Sequence, residues 1–179
     1  KDLHEGLNAM NTRISGLMNF VESYRKLYKI PEPKIRDTSV DSILSEIKTL
    51  LDKDMKKKGI QFTIKGETEI SILADKEMIT QVLINLIKNA MDAMHEGDNP
   101  SIQIEVAKKK QETHIKVIDN GRGMNEDEIQ NCFVPFYTTK ENGSGIGLYY
   151  SRLIALLHKG NLTTLEPENG QGTVFLLTL

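Results

Sequence analysis

The sequence predicts an α/β protein: a two-layer sandwich with helices on one face of a mixed, mostly antiparallel sheet, preceded by a long N-terminal helix. Three observations predict it. Short stretches such as Ile60, Phe62, Ile64 and Ile102, Ile104, Val106 alternate with polar residues, the two-residue period of a strand with one face on a core. Longer stretches repeat apolar residues at the helical period. The strands meet through short turns such as AKKKQE rather than by regular crossover helices, which excludes a Rossmann order. Three helices of the globular part then cover the apolar side of the sheet.

Size and charge narrow the function classes. The 179 residues suffice for one ordinary domain plus an extra element, and 39% hydrophobic with 27% charged residues is the balance of a soluble globular chain. A formal net charge of −2 provides no general attraction to nucleic acid or anionic lipid, so neither is an expected partner. The lone Cys132 argues against a disulfide framework or a zinc site and fits a reducing compartment. Apolar runs fall short of the roughly 20 residues of a membrane span, and no charged-then-apolar leader opens the chain. It begins at Lys1 rather than Met, so it reads as a piece of a longer protein with any membrane anchor outside it.

The elements follow in order. Leu3, Leu7, Met10, Ile14, Leu17, Val21, Tyr24 and Tyr28 recur at alternating four- and three-residue steps. Such a seam packs on the domain's own core or on a partner helix, and strict heptad spacing favours the partner. Pro31 and Pro33 end that helix. Residues 1–30 are thus expected as a helical element, 31–39 as a stiff linker and 40–179 as the globular domain. A helix over about 40–58 sets Ile43, Leu44, Ile47, Leu50, Leu51 and Met55 on one face, with Gly59 placed to end it. Strands around 60–64 and 70–72 are expected to join through the GET turn. Asp75 can cap a long helix reaching about His95. Strands over 102–106, 113–119, 162–165 and 172–179 and a helix over 147–159 complete the pattern.

Within QVLINLIKNAMDAM, Val82, Leu83, Leu86, Ile87, Ala90 and Met94 form one broad apolar stripe. Asn85, Asn89 and Asp92 share a second, narrow stripe with Lys88 beside it. Either this is an ordinary solvated face, or the amides and carboxylate meet a polar ligand. Asn is a poor helix former with no advantage on an exposed surface, which favours the ligand. An amide oxygen is a hard donor, and Mg²⁺ takes one or two protein oxygens beside phosphates and water. Asn89 is the candidate metal ligand.

Asp119 lies in phase with Thr113, Ile115 and Val117, so its carboxylate points to the buried side of its strand and needs donors there. Gly121 and Gly123 let the backbone approach a flat ligand closely, with Met124 and Ile118 near enough to pack the ring or support the turn. DNG is also a common tight turn in which Asp bonds its own backbone; Arg122 is expected to face solvent. Gly143, Gly145 and Gly147 precede a helix, where the free amides of Gly145, Ile146, Gly147 and Leu148 present donors and a positive dipole to a triphosphate. Between the glycine clusters, Phe133, Pro135, Phe136 and Tyr137 anchor the base of a movable cover. Lys140 is locally unneutralised except for Glu141 and could reach a phosphate.

These stretches, in this order, resemble the Bergerat-type ATP-binding domain, and in detail the catalytic domain of sensor histidine kinases. NLIKNAMDA is similar to that family's N box, DNGRGM to its G1 box and FVPFYTTK to its F box, with GSGIGL as the second glycine cluster. The likeness runs from about Asn11 to Leu179. It implies that Asn89 ligates Mg²⁺, that Asp119 contacts the adenine amino group, and that Thr173 helps hold adenine through water. Related gyrase, mismatch-repair and heat-shock ATPases carry a Glu base where this chain has Asn85. An amide cannot accept a proton, so phosphoryl transfer to a protein acceptor is implied in preference to ATP hydrolysis. A clamp-type ATPase or an ATP-gated switch module is the alternative. Asp92 departs from the Lys or His common in sensor kinases, while NAMDA fits the nitrogen-regulation branch. FVESYRKLYKIPEP resembles the end of the second dimerisation helix. The phosphoacceptor is therefore expected outside this chain, although His4 is followed by Glu as acceptor histidines often are. The resemblance further implies ATP and Mg²⁺ as ligands, the protein's own dimerisation helices and a response regulator as partners, a homodimer in the full-length protein, and a cytoplasmic location, as the inner part of a membrane-anchored sensor if an anchor exists.

Overall fold

Ser39 starts the first helix because its hydroxyl accepts from the Ser42 amide at 3.2 Å, supplying one of the donors a helix start leaves unmet. This and the following elements belong to a computed structural model that describes residues 10, 30–94, 99–140 and 143–179. Apart from Met10, which is exposed, the expected heptad helix, with His4, lies outside the described residues, as does His95. Helix α1 (Val40–Lys57) buries Val40, Ile43, Leu44, Ile47, Leu51 and Met55. Leu50 is instead 57% exposed: at about 100° per residue it falls on the edge of a stripe centred nearer Leu44 and Leu51.

The expected 60–72 hairpin does not form. Strand β2 (Gln61–Gly66) runs parallel to β4 (Ser101–Lys109) at the edge of the main sheet. Strand β3 (Ser71–Ala74) pairs antiparallel with β1 (Arg36–Ser39) in a separate two-stranded sheet. Residues 36–39, read as the end of a linker, are therefore a strand. Its polar sequence RDTS hides this, and the hydroxyl of the buried Thr38 donates to Ala74 O at 3.0 Å.

The main sheet has the order β2-β4-β5-β7-β6, with β5 as Glu112–Asp119, β6 as Asn161–Leu165 and β7 as Thr173–Thr178. Only β2 and β4 are parallel among its neighbours, so the expected mixed, mostly antiparallel sheet is found. Its inner face presents Ile102, Ile104, Ile115, Val117, Phe175 and Leu177 to helices α2 (Lys76–Ala93) and α4 (Gly147–Leu157), which contribute Leu83, Leu86, Ile87, Ile154 and Ala155. A short helix not expected from the sequence, α3 (Glu126–Asn131), is set by a capping box between Asn125 and Glu128. The N-x-x-E spacing in MNEDE is its signature.

Asp75 joins three segments. Its Oδ1 accepts from the Met78 amide at 3.1 Å and caps α2, and its Oδ2 accepts from the Lys34 amide at 2.8 Å. Its own amide donates to His158 Nε2 at 3.0 Å, at the end of α4. Burial pushes the Asp75 carboxyl up, but the amides of Lys34, Met78 and Glu77 outweigh it and hold the carboxyl below its ordinary value. Asp75→Ala removes the cap and the Lys34 bond together, and urea unfolding at neutral pH should show a loss of ~1–2 kcal/mol. An unchanged midpoint would mean that neither bond contributes.

Candidate nucleotide site

The inner side of β5 ends at Asp119, which is 5% exposed and lies opposite Thr173 on β7. Its Oδ1 accepts from the amides of Gly121 at 2.9 Å and Thr173 at 3.2 Å. Burial pushes the carboxyl above its ordinary value, and the Gly121 and Thr173 amides and the Thr173 hydroxyl offset this only in part. A carboxylate offers about four lone-pair sites. Acceptor capacity is therefore left for a donor arriving from the cavity of ≈ 620 Å³ that Asp119 and Thr173 line.

Helix α2 forms one wall of that cavity through Asn85, Asn89 and Asp92. Asn85 also fastens the helices together: its Nδ2 donates to Ser151 Oγ at 3.0 Å, and a Cβ on Gly147 would lie 2.5 Å from its Oδ1. A larger residue at 147 would force the Asn85 amide to shift. The first turn of α4 opens on the same cavity through Gly147 and Leu148, and no side chain caps it, so its amides stay available to an anion. Ile146 is buried beneath that turn. Gly143 and Gly145 line the cavity as well. Gly145 has φ +66°, and a Cβ there would be driven into the Phe136 backbone, whose amide donates to Gly145 O at 2.9 Å.

Several expectations are corrected. Lys88 lines a separate hollow beside Asp54, Lys57 and Lys58, because it sits about 100° around the helix from Asn89. Gly121 does not line the cavity; its Cα packs on the Ala93 carbonyl, which leaves no room for a Cβ. Ile118, adjacent to Asp119, points to the opposite face of the strand and is not among the lining residues. Lys140 is not an unpaired cation: its ammonium donates to Asn89 Oδ1 and Asp92 Oδ2, each at 2.8 Å. Gly123 and Met124 line the cavity as expected. Phe133 meets Phe175 edge-on at 6.3 Å between ring centroids, which fixes this segment on the sheet.

Arg122 does not simply face solvent. Its guanidinium forms a two-point pair with Glu128, at 2.6 and 3.0 Å, and donates to Thr139 Oγ1 at 3.1 Å. This ties the glycine turn, α3 and the cover's base together, and the capping-box Glu was the sequence signal for it. Cys132 lines the same cavity, where burial pushes its thiol up to about 11 and keeps it a neutral wall.

Among the described residues no group of three or more His, Cys, Asp or Glu could hold a metal, so these residues offer no cage of their own. The donor set nevertheless suits a hard cation shared with phosphates. Asn89 Oδ1 and Asp92 Oδ2 already converge on one ammonium, which shows that they can face a common positive charge.

The family model described as "Histidine kinase-, DNA gyrase B-, and HSP90-like ATPase" matches residues 74–179, from the last residue of β3 through β7. The chain belongs to this ATPase family. Its relatives include sporulation kinase E of Bacillus subtilis, 31% identical over 96% of this chain and 23% of that protein, and sporulation kinase C of the same organism, 35% identical over 78% and 32%. The chain thus spans about a quarter to a third of these relatives' length. Among solved structures, the catalytic domain of histidine kinase ThkA is 29% identical with a TM-score of 0.73, covering 82% of this chain and 95% of that one. ThkA in complex with its response regulator TrrA is 26% identical with a TM-score of 0.78, over 99% and 51%. The expected fold and its sensor-kinase relatives are both found.

The Arg122–Glu128 pair gives this ATPase-family domain an acid-sensitive brace. Hydrogen bonds from Arg122 draw the Glu128 carboxyl down, against burial, to about 2 from an ordinary 4.5. A depressed carboxyl contributes fully above its ordinary value and loses that contribution as pH falls through the folded one. Glu128→Gln should cost ~1.5–3 kcal/mol at neutral pH, and urea unfolding across pH should show the gap from wild type closing between about 4.5 and 2. A gap that does not change with pH would remove the ion pair as its cause.

Proposed function

We propose that this chain is the ATP-binding catalytic part of a sensor histidine kinase. It would transfer the ATP γ-phosphoryl group to a His on a dimerisation hairpin outside this chain, for relay to a response regulator. One observation carries the reading. Asp119 on the sheet, Asn89 on α2 and the uncapped start of α4 open on a single cavity, giving an acceptor for an adenine amino group at one end and anion donors at the other. Asp119 selects adenine, with Thr173 beside it and Gly123 and Met124 at the ring's edge. The amides at Gly145, Ile146, Gly147 and Leu148 hold the phosphates. Asn89 contributes its amide oxygen to Mg²⁺, which when bound neutralises phosphate charge. Little covalent chemistry falls to these residues: they align the γ-phosphorus so that an imidazole nitrogen bonds to it as its bond to the departing ADP oxygen breaks.

Asn85 decides between transfer and hydrolysis. It stands a turn before Asn89, its amide cannot serve as a base, and it is already held by Ser151 at 3.0 Å. Water is therefore left without a proton acceptor there. This favours transfer over the clamp-ATPase reading. In the longer protein, 1–30 would complete the hairpin as its second helix, 31–39 would join it to the catalytic domain over 40–179, and the hairpin would form the homodimer. A cytoplasmic placement agrees with this role. The nitrogen-regulation-like assignment within the family rests on NAMDA alone.

Incubating the chain with its upstream hairpin and γ-labelled ATP should place label on the hairpin; rapid release of free phosphate without hairpin would support an ATPase instead. Asp119→Asn is the sharper probe of the site. Asn keeps an oxygen for the Gly121 and Thr173 amides but can set an NH₂ donor against the adenine amino group. Loss of a hydrogen bond to a charged acceptor predicts binding of Mg-ADP weakened roughly 10- to 100-fold with unchanged circular dichroism. Wild-type affinity in this variant would remove Asp119 from adenine recognition.

A further inference from the structure

Asn89 has one amide oxygen, and in this structure a cation of the protein itself bonds to it. Lys140 Nζ is 2.8 Å from Asn89 Oδ1 and 2.8 Å from Asp92 Oδ2. We infer that Asp92 is a positioning residue that parks the Lys140 ammonium on the metal-ligand oxygen, so that Lys140 and the divalent ion compete for Asn89. The inference rests on the nucleotide reading above and concerns the regulation of that same site.

The helix supplies the geometry. Asn89 and Asp92 are three residues apart on α2 and share a face, so one ammonium bridges both oxygens. Asp92 is set between two cations, with Lys58 Nζ 3.7 Å from its other oxygen. It therefore keeps a counter-charge when Lys140 leaves. A divalent ion held by Asn89 Oδ1 would meet the Lys140 ammonium at the same oxygen, and like charges crowded there repel. Occupancy by one disfavours the other. The side chains of Asp92 and Lys140 are 50% and 43% exposed, so the pair is weak enough for a divalent ion to open.

Lys140 immediately follows Thr139, whose hydroxyl takes the Arg122 guanidinium. The same short segment is thus pinned at Arg122 and at Asp92, on two sides of the cavity. Release of Lys140 frees one of these pins and leaves the other. Its cation is then available to the nucleotide's phosphates, which makes metal entry and repositioning of Lys140 a single event.

The test is equilibrium binding of a fluorescent ADP to the whole chain, titrated with Mg²⁺. ADP lacks the γ-phosphate, so a contact between Lys140 and that group does not contribute. Lys140→Gln should lower the Mg²⁺ concentration at the midpoint about three- to fivefold, and Lys140→Arg, which keeps the charge, should return it towards wild type. Hydrogen exchange on the nucleotide-free protein should show faster exchange at the amides of 137–140 in both Lys140→Gln and Asp92→Asn. ADP binding with an unshifted or raised Mg²⁺ midpoint in Lys140→Gln overturns the competition while leaving the nucleotide site intact. Wild-type protein that binds no ADP at any Mg²⁺ concentration overturns the nucleotide reading itself, and this inference with it.

Discussion

The burial of α2 is the constraint on which the site depends. Leu83, Leu86 and Ile87 are fully buried against the sheet, and removing any of them would cost several kcal/mol, so the helix cannot roll. At about 100° per residue, fixing that face commits Asn85, Asn89 and Asp92 to the flank that looks across the sheet's end towards Asp119. The polar stripe therefore needs no interaction of its own to be aimed. The same rotation carries Lys88 away to the hollow beside Lys57 and Lys58.

Two carboxylates on this cavity show how environment separates a structural group from a recognition group. Glu128 is met by a guanidinium in two-point geometry and by the Asn125 amide, and its carboxyl is drawn down to about 2. Asp119 is as thoroughly buried, yet backbone amides and one hydroxyl only partly offset its desolvation, and its carboxyl is pushed up. The first is satisfied within the fold. The second keeps acceptor capacity that the fold does not use, which is where the proposed adenine amino group would donate.

Local signals were legible in the sequence where they are backed by local physics. Alternation put Asp119 and Thr173 on the inner face, Asp75 announced the start of α2, and glycine spacing marked the entry to α4. Partner choice was not legible. Strand β1 reads as RDTS, with no apolar alternation, and pairs with β3 across more than thirty residues of chain, so neither its existence nor the loss of the 60–72 hairpin could be read locally. Lys140 failed for a related reason: Asp92, the charge that holds it, lies 48 residues away in the chain. Leu50 shows the remaining limit, since a helical stripe has an edge whose position depends on the neighbouring elements.

Two polar contacts, one near each end of α4, tie it to α2 and to the cap of α2. At one, the Asp75 amide donates to His158 Nε2 while His158 Nδ1 meets the Ile154 carbonyl at 2.7 Å; at the other, Asn85 bonds Ser151 and abuts Gly147. Asp75 is at the same time the acceptor for the Lys34 amide. The segment leading into the domain, the cap of the helix that carries Asn89, and the far end of the helix whose first turn opens on the cavity thus meet at one residue. A carboxylate with both oxygens and its own amide engaged cannot shift for one partner without straining bonds to the others. The alignment of Asn89 with the α4 amides is in this way referred back to the chain's entry point, some distance from the cavity it shapes.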